Sequence, residues 1–531
     1  MKRPPVFLRE ATGLVRELGV KDLVFFNLEN LTFGVGISYV LFFLFLTPGA
    51  DPVLATFLTG LLFVPLGIIY AMVITAMPRS GSDYVFVSRA LHPVFGYILN
   101  FTFCVWLFFW VGAFVNWIFT AGFGPTFSLI GSIEGNPSIT ALASTVTSNN
   151  FVMAAGILLL IVLGVAVTVS KRSLFRILNA SVAAGIISVV LIIFTLATNT
   201  NADFISRFNT YSAPFAGTAD YYHGLISAAN IPVSGFSWTA TVSLIPVAAW
   251  IFMYYAAQQT VGGEIKNVRR TSYLAMILTI VIGISFCVTV IYLAENVMGY
   301  RFLQAIAAMS GTSAYTIPIA TPYYNYLVGV LVTNPILLWI MGLLFIGWDI
   351  ALVMLNFVMV PRYLLASSMD RITPGFLANV SDRFHTPYAG IWLVVLCGSI
   401  MLVLYTSFAG FFATLSAVLG EMIAAYLLFS IAAIVFPLRK GTKALFDASP
   451  VAWRVAGVPV LSILGCISTV VLLSIGYMFL MNSMYGVNSV YSLVGIVLIV
   501  IGAVTIFTTS YTYNKKHGLD IMLGFKQLPP E

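Results

Sequence analysis

Residues 22–46 read DLVFFNLENLTFGVGISYVLFFLFL. The stretch is long enough to cross a hydrocarbon layer as one helix, yet it carries Asn27, Glu29 and Asn30 in its first half and Gly34, Val35, Gly36, Ile37 and Ser38 midway. A crossing helix needs about 20 mostly apolar residues, because lipid offers no partner to an exposed N–H or C=O. Glycine is the residue at which such a helix opens at least cost. Glycines in membrane helices also permit close helix packing, so Gly34 to Ser38 reads either as a packing surface or as a break that frees main-chain groups for a ligand.

The rest of the chain repeats the apolar pattern. Of 531 residues, 60% are hydrophobic and 8% charged, whereas a soluble domain is about half apolar and about a quarter charged. Water is therefore not the main solvent of this surface, and a single all-α integral membrane domain is expected. Helices are expected at about 22–46, 52–76, 94–122, 152–170, 174–198, 236–261, 273–296, 328–360, 388–407, 411–437, 456–481 and 489–511. Twelve transmembrane helices result.

The net charge of +7 does not point to nucleic acid, because the basic residues fall in small groups between apolar runs. The four cysteines lie within apolar runs without CxxC spacing or nearby histidine clusters, so neither a disulfide framework nor a metal site is indicated. Residues 1–21 have no apolar core of signal-peptide length and are expected to form a cytoplasmic tail. With that terminus inside, every lysine and arginine falls on the inner side except Arg207 and Arg301. Both termini are thus expected in the cytoplasm, and the cell membrane as the location. The outer segments near 123–150, 199–235 and 297–327 are long and rich in Ser, Thr, Asn and Gly; they read as short helices over an outer vestibule or as solvated loops.

A second break is expected in the sixth span, where Pro246 precedes Trp250, Ile251, Phe252, Met253, Tyr254 and Tyr255. Breaks at corresponding places in spans one and six suggest a 5+5 inverted repeat plus two C-terminal helices. The ten-helix core would be residues 22–437, as repeats 22–198 and 236–437, followed by spans eleven and twelve within 438–511 and a tail at 512–531. Ionisable groups inside spans are costly and hence functional candidates. Asp349 in span eight and Glu421 in span ten read as ion-coupling groups or as structural hydrogen-bond partners, and Glu29 as a third acid near the inner end of span one.

Three motifs at the inner side carry a family resemblance. Pro78-Arg79-Ser80-Gly81-Ser82-Asp83-Tyr84 through Val87-Ser88-Arg89-Ala90-Leu91 follows span two. Gly263-Glu264-Ile265-Lys266-Asn267-Val268-Arg269-Arg270 follows span six, and Arg362, Ala366, Asp370, Pro374, Phe376, Phe384, Thr386 and Pro387 follow span eight. Arg454 to Pro459 adds a fourth at the entry to span eleven. Together they resemble the amino acid, polyamine and organocation (APC) permease superfamily.

The resemblance implies the inverted-repeat fold, alternating access, and a substrate carboxylate held by main-chain N–H groups of the opened first helix. It places Trp250 where relatives carry an aromatic gate, and Phe252, Met253, Tyr254 and Tyr255 in the unwound part of span six, with free carbonyls for a substrate ammonium. The sequence departs from the pattern at Val268, where proline is usual, at Tyr254, where glycine is common, and in lacking a proline after the first break. Some relatives replace sodium with a lysine in span five; residues 178–206 contain no lysine or arginine.

The expected function is a secondary active transporter of amino acids or related small solutes, coupled to H⁺ or Na⁺ and without a cofactor. The scarcity of charge near the presumed pocket favours a neutral or apolar amino acid. An enzyme is disfavoured, since His92, His223, His385 and His517 all fall in loops or tails and neither HExxH nor GxSxG occurs. A channel or a solute receptor that moves nothing remains the alternative.

Overall fold

A computed structural model describes residues 7–31, 33–319, 321–408, 411–485, 487 and 490–531; of Lys171, residues 411–421 and Tyr491 it describes the backbone only. Among the described residues, eleven helical segments are long and apolar enough to cross a bilayer. In chain order, spans one to nine are Val20–Leu46, Pro52–Ala76, Pro93–Glu134, Asn149–Thr168, Arg172–Ala197, Trp238–Thr260, Val268–Met298, Pro335–Met369 and Tyr388–Ser407. Spans eleven and twelve are Val460–Met481 and Ser492–Lys516. Span ten is the 25-residue helix Phe411–Val435, which bends by 77° into the amphipathic helix Lys440–Asp447 and raises the count to twelve. Among the described residues the only strands are Arg454–Val455 and Val458–Pro459, an antiparallel pair turned at Ala456 and Gly457, both at positive φ.

Several helix starts are written locally. Asp51, His92, Asn136 and Asn334 each precede a proline and accept a hydrogen bond from a main-chain N–H of the first turn. A polar cap followed by proline at the first helical position satisfies or removes donors that would otherwise lack partners. The outer segments contain the short helices Pro137–Val146, Asn201–Ala216, Tyr221–Ala229, Tyr300–Met309 and Tyr324–Gly329.

Burial sorts the spans into an inner and an outer set. The apolar windows of spans one, three and six are 71–78% buried, whereas those of spans eleven and twelve are 28% and 17% buried. The last two helices thus lie at the rim, with apolar faces such as Val470, Tyr477, Val497 and Leu498 exposed. In water that surface would be a liability; against lipid tails it is matched.

Both central helices are interrupted. Span one is a helix over Val20–Glu29, a turn at Asn30 and Leu31, and a second helix over Phe33–Phe42. The interruption falls one turn before Gly34 to Ser38, which are helical; it is the polar pair Glu29 and Asn30 that ends the first segment, and Asn30 turns its side-chain amide back onto Phe26 O at 2.9 Å. Span six runs as helix over Trp238–Phe252, then turns through Met253 to Ala256 and continues as short 3₁₀ turns at Ala257–Thr260 and Gly262–Glu264.

Candidate functional site

The two interruptions meet. A cavity of about 30 Å³ is lined by Asn30, Val35, Gly36 and Tyr39 of span one, Trp106, Trp110, Phe114 and Trp117 of span three, Trp250 and Tyr254 of span six, and Leu352 and Leu355 of span eight. Apart from Asn30 and Gly36, every lining side chain is aromatic or aliphatic. At roughly 10–15 Å³ per water, the hollow has room for about two waters, too little for an amino acid, so this conformation is closed around its centre.

Main-chain polarity compensates for the apolar side chains. The first-turn N–H groups of a helix and its last-turn C=O groups have no intrahelical partners, and they carry the positive and negative ends of the helix dipole. Here Val35 and Gly36 belong to the first turn of Phe33–Phe42, and Trp250 to the last turn of Trp238–Phe252. A donor end and an acceptor end therefore border one apolar hollow. The rings interlock around it: Tyr254 stacks on Trp106 with centroids 4.6 Å apart, while Trp250 lies 6.0 Å from Tyr39 and 6.2 Å from Trp110. The Trp106 and Trp110 indole nitrogens and the Tyr254 hydroxyl are buried without a hydrogen-bond partner among the described residues.

A model of the family described as amino acid permease matches residues 18–510. The chain belongs to the amino acid permeases. A search of curated proteins finds no match.

Of the residues expected at the permease's site, Val35, Gly36, Trp250 and Tyr254 line the cavity. Gly34 instead faces Phe345 of span eight, where an added Cβ would lie 3.1 Å from the ring. Ile37 is fully buried and Ser38 donates to Gly34 O at 2.9 Å. Phe252, Met253 and Tyr255 are buried away from the hollow; the Tyr255 hydroxyl donates to Phe63 O of span two, beside Gly67. Asp349 is buried in the first turn of the helix Gly347–Met369, close to Gly122 and outside the cavity lining. Glu421 falls in span ten, where its side chain lies outside what is described. The span-three residues Trp106, Trp110, Phe114 and Trp117 were not singled out from the sequence, although their spacing of four, four and three puts them on one helix face.

The permease motifs gather at the end of the molecule where the described parts of both tails lie, and they tie its helices together. Gly81, at φ +63, caps the helix Ser82–Ala90 and donates its N–H to Thr260 O at 2.9 Å; a Cβ there would lie 2.9 Å from Ala366 Cβ, so a residue without one is required. Arg89 makes two hydrogen bonds to Asp370, at 2.7 and 2.8 Å, and the Tyr84 hydroxyl donates to the same carboxylate at 2.6 Å. Ser82 donates to Gln259 O at 2.8 Å. Burial pulls the Arg89 pKa down, but Asp370 beside it outweighs this and the net shift is upward.

The two tails seal this end further. Leu8 N–H donates to Met369 O, and Leu18 exchanges main-chain hydrogen bonds with Glu264 and Lys266. Glu531 accepts from Ser80 Oγ at 2.9 Å and from Ser80 N–H at 3.2 Å, while Arg79 donates to Pro529 O and Arg89 to Gln527 O. Burial raises the Glu531 pKa from its ordinary value.

Proposed function

We propose that this permease carries zwitterionic amino acids with neutral, apolar or aromatic side chains by alternating access, coupled to an ion gradient. The carboxylate is received by the first-turn N–H groups of Phe33–Phe42, and the ammonium by the last-turn carbonyls of Trp238–Phe252. The side chain sits among Trp106, Trp110, Tyr39 and Trp250. The observation that carries this reading is the meeting of a helix N-terminus and a helix C-terminus at one aromatic-lined hollow. Opposite helix ends recognise the two charges of a zwitterion without a charged side chain, which would have to be desolvated at every turnover.

Substrate entry requires the hollow to widen, and the end carrying both termini, held by the motif network, is the one that must part to release solute there. In this reading both termini are cytoplasmic and the core is two inverted five-helix repeats. Asp349 is one acid available for ion coupling, in the first turn of a helix, where the dipole favours negative charge.

A thermal-shift screen of the detergent-purified protein against the twenty amino acids tests the substrate class. Stabilisation by aliphatic and aromatic amino acids is expected; stabilisation by lysine, arginine or glutamate alone would overturn it. Counterflow in proteoliposomes separates a carrier from a receptor that binds and moves nothing.

A further inference from the structure

Glu29 is the last residue of the first half-helix of span one, fully buried at 0% exposure. Both carboxylate oxygens are without a hydrogen-bond partner among the described residues; the group reaches toward the Leu355 main chain of span eight without closing a bond to it. Its two neighbours in the fold, Asn30 and Leu355, line the central cavity.

Three physical facts bear on such a group. An ionised carboxylate that is buried without a cation or donors carries a large cost in lost hydration and sheds it by taking up a proton. The C-terminal end of a helix is its negative pole, which opposes a second negative charge and offers carbonyl acceptors to a carboxyl O–H. A sodium ion needs several oxygen ligands around it, whereas a proton needs one oxygen only.

Among the described residues no charged group on the packed elements answers Glu29. The first half-helix packs on spans five, seven and eight and on the 3₁₀ turn Ala257–Thr260 that ends span six. Its own Asp22 accepts from Asn179 of span five at 2.8 Å, and Arg172 and Arg176 lie at the start of that span. Span seven carries Arg269 and Arg270 at its start, buried Cys287 within it and Glu295 at its far end. On span eight, Arg362 is seven positions beyond Leu355, about 10 Å along the helix, and is paired with Glu264. Asp349 is six positions the other way and lies at a helix N-terminus, where the field has the opposite sign.

We infer that Glu29 is the proton-binding site of this permease: it holds a proton while the hollow is closed and exchanges it with water when the first half-helix of span one swings away from span eight. The inference rests on the carrier reading and adds the identity of the coupling ion and its seat. Because Glu29 ends one half-helix and the carboxylate-receiving N–H groups begin the next, the same movement opens both sites.

The test uses the full-length protein in proteoliposomes, with an equimolar mixture of the twenty ¹⁴C-labelled amino acids as probe. Wild type should show counterflow, and under an imposed gradient, acid outside and membrane potential clamped, it should accumulate label by up to about tenfold per pH unit, the ratio set by one proton per solute. Glu29→Gln, which mimics the protonated acid, should keep counterflow and lose accumulation. Glu29→Asp should accumulate with a displaced pH profile.

Absence of counterflow in wild type defeats the carrier reading itself. Counterflow without a response to the proton gradient in wild type leaves the carrier and overturns the proton site. Undiminished accumulation by Glu29→Gln overturns it too, as does loss of the response in Asp349→Asn with retention in Glu29→Gln. Should Glu29→Gln yield no active protein, an unchanged pH profile in Glu29→Asp overturns the assignment.

Discussion

Arg362, near the end of span eight, donates from Nε to Glu264 Oε1 at 2.7 Å and from Nη2 to Oε2 at 3.2 Å, with both side chains at most 2% exposed. The pair ties the last turns of span eight to the 3₁₀ turn Gly262–Glu264 that follows span six. Burying two charges costs much of what their attraction returns, but removing one of them leaves the other desolvated.

Arg362→Met should therefore cost about 3–5 kcal/mol, read as a lower melting temperature in detergent. Arg362→Met with Glu264→Gln should recover part of that loss, because neither charge then remains. A double variant as unstable as the sum of the two single ones would show that the residues act independently.

Asp83 offers a pH test outside the spans. Burial raises its carboxyl from 3.8 to about 6, against the lowering effect of the Tyr363 hydroxyl at 2.7 Å and the Tyr84 N–H at 2.9 Å. A carboxyl whose folded pKa lies above its unfolded value stabilises the fold below the unfolded pKa, and that contribution is lost as pH rises through the folded one. Stability should fall between about pH 4 and 6 on this account, by an amount on the order of 2–3 kcal/mol. Asp83→Asn should melt higher than wild type at pH 7.5 and show a smaller gap at pH 4.5. Parallel pH profiles of the two proteins would refute the assignment.

Gly67 of span two sits under the Tyr255 ring, and an added Cβ would come closer to the hydroxyl and ring carbons than van der Waals contact allows. The hydroxyl is held by Phe63 O, so the ring cannot step aside without breaking that hydrogen bond. Gly67→Ala should cost about 1–3 kcal/mol. Pairing it with Tyr255→Phe should cost less than the sum of the two, since the freed ring can shift. Melting temperatures of the three variants decide it.

Much of this architecture could be read from residue patterns. Span lengths follow from the need to satisfy every backbone group in lipid, and the polar caps before Pro52, Pro93 and Pro335 mark where helices begin. The existence of breaks in spans one and six was legible from glycines and from Pro246; the position of the first was not. The chain opens at Asn30 and Leu31, where the Asn30 side-chain amide competes with the helix ladder for Phe26 O, while Gly34 stays helical against Phe345.

The span-three face of Trp106, Trp110, Phe114 and Trp117 escaped notice for a different reason. In a helix apolar on every side, periodicity does not distinguish a face turned to a cavity from one turned to lipid. The docking of Glu531, Pro529 and Gln527 over Ser80, Arg79 and Arg89 was invisible as well, since two of its three contacts are to main-chain carbonyls that any residue would supply.

Trp106 gives the sharpest test of the pocket. Its ring stacks on Tyr254 at 4.6 Å, yet its indole N–H is buried without an acceptor among the described residues. A buried donor left unmade costs about 1–3 kcal/mol, so Trp106→Phe, which keeps a stacked ring and removes the donor, should leave the ligand-free melting temperature unchanged or raise it. If the N–H is kept for the bound solute, the same substitution should weaken binding by roughly 5- to 30-fold, the equivalent of about 1–2 kcal/mol. Titrating the purified protein with whichever amino acid stabilises it most measures both quantities at once. A gain in stability with unaltered affinity would make Trp106 a packing residue and take its N–H out of the recognition scheme.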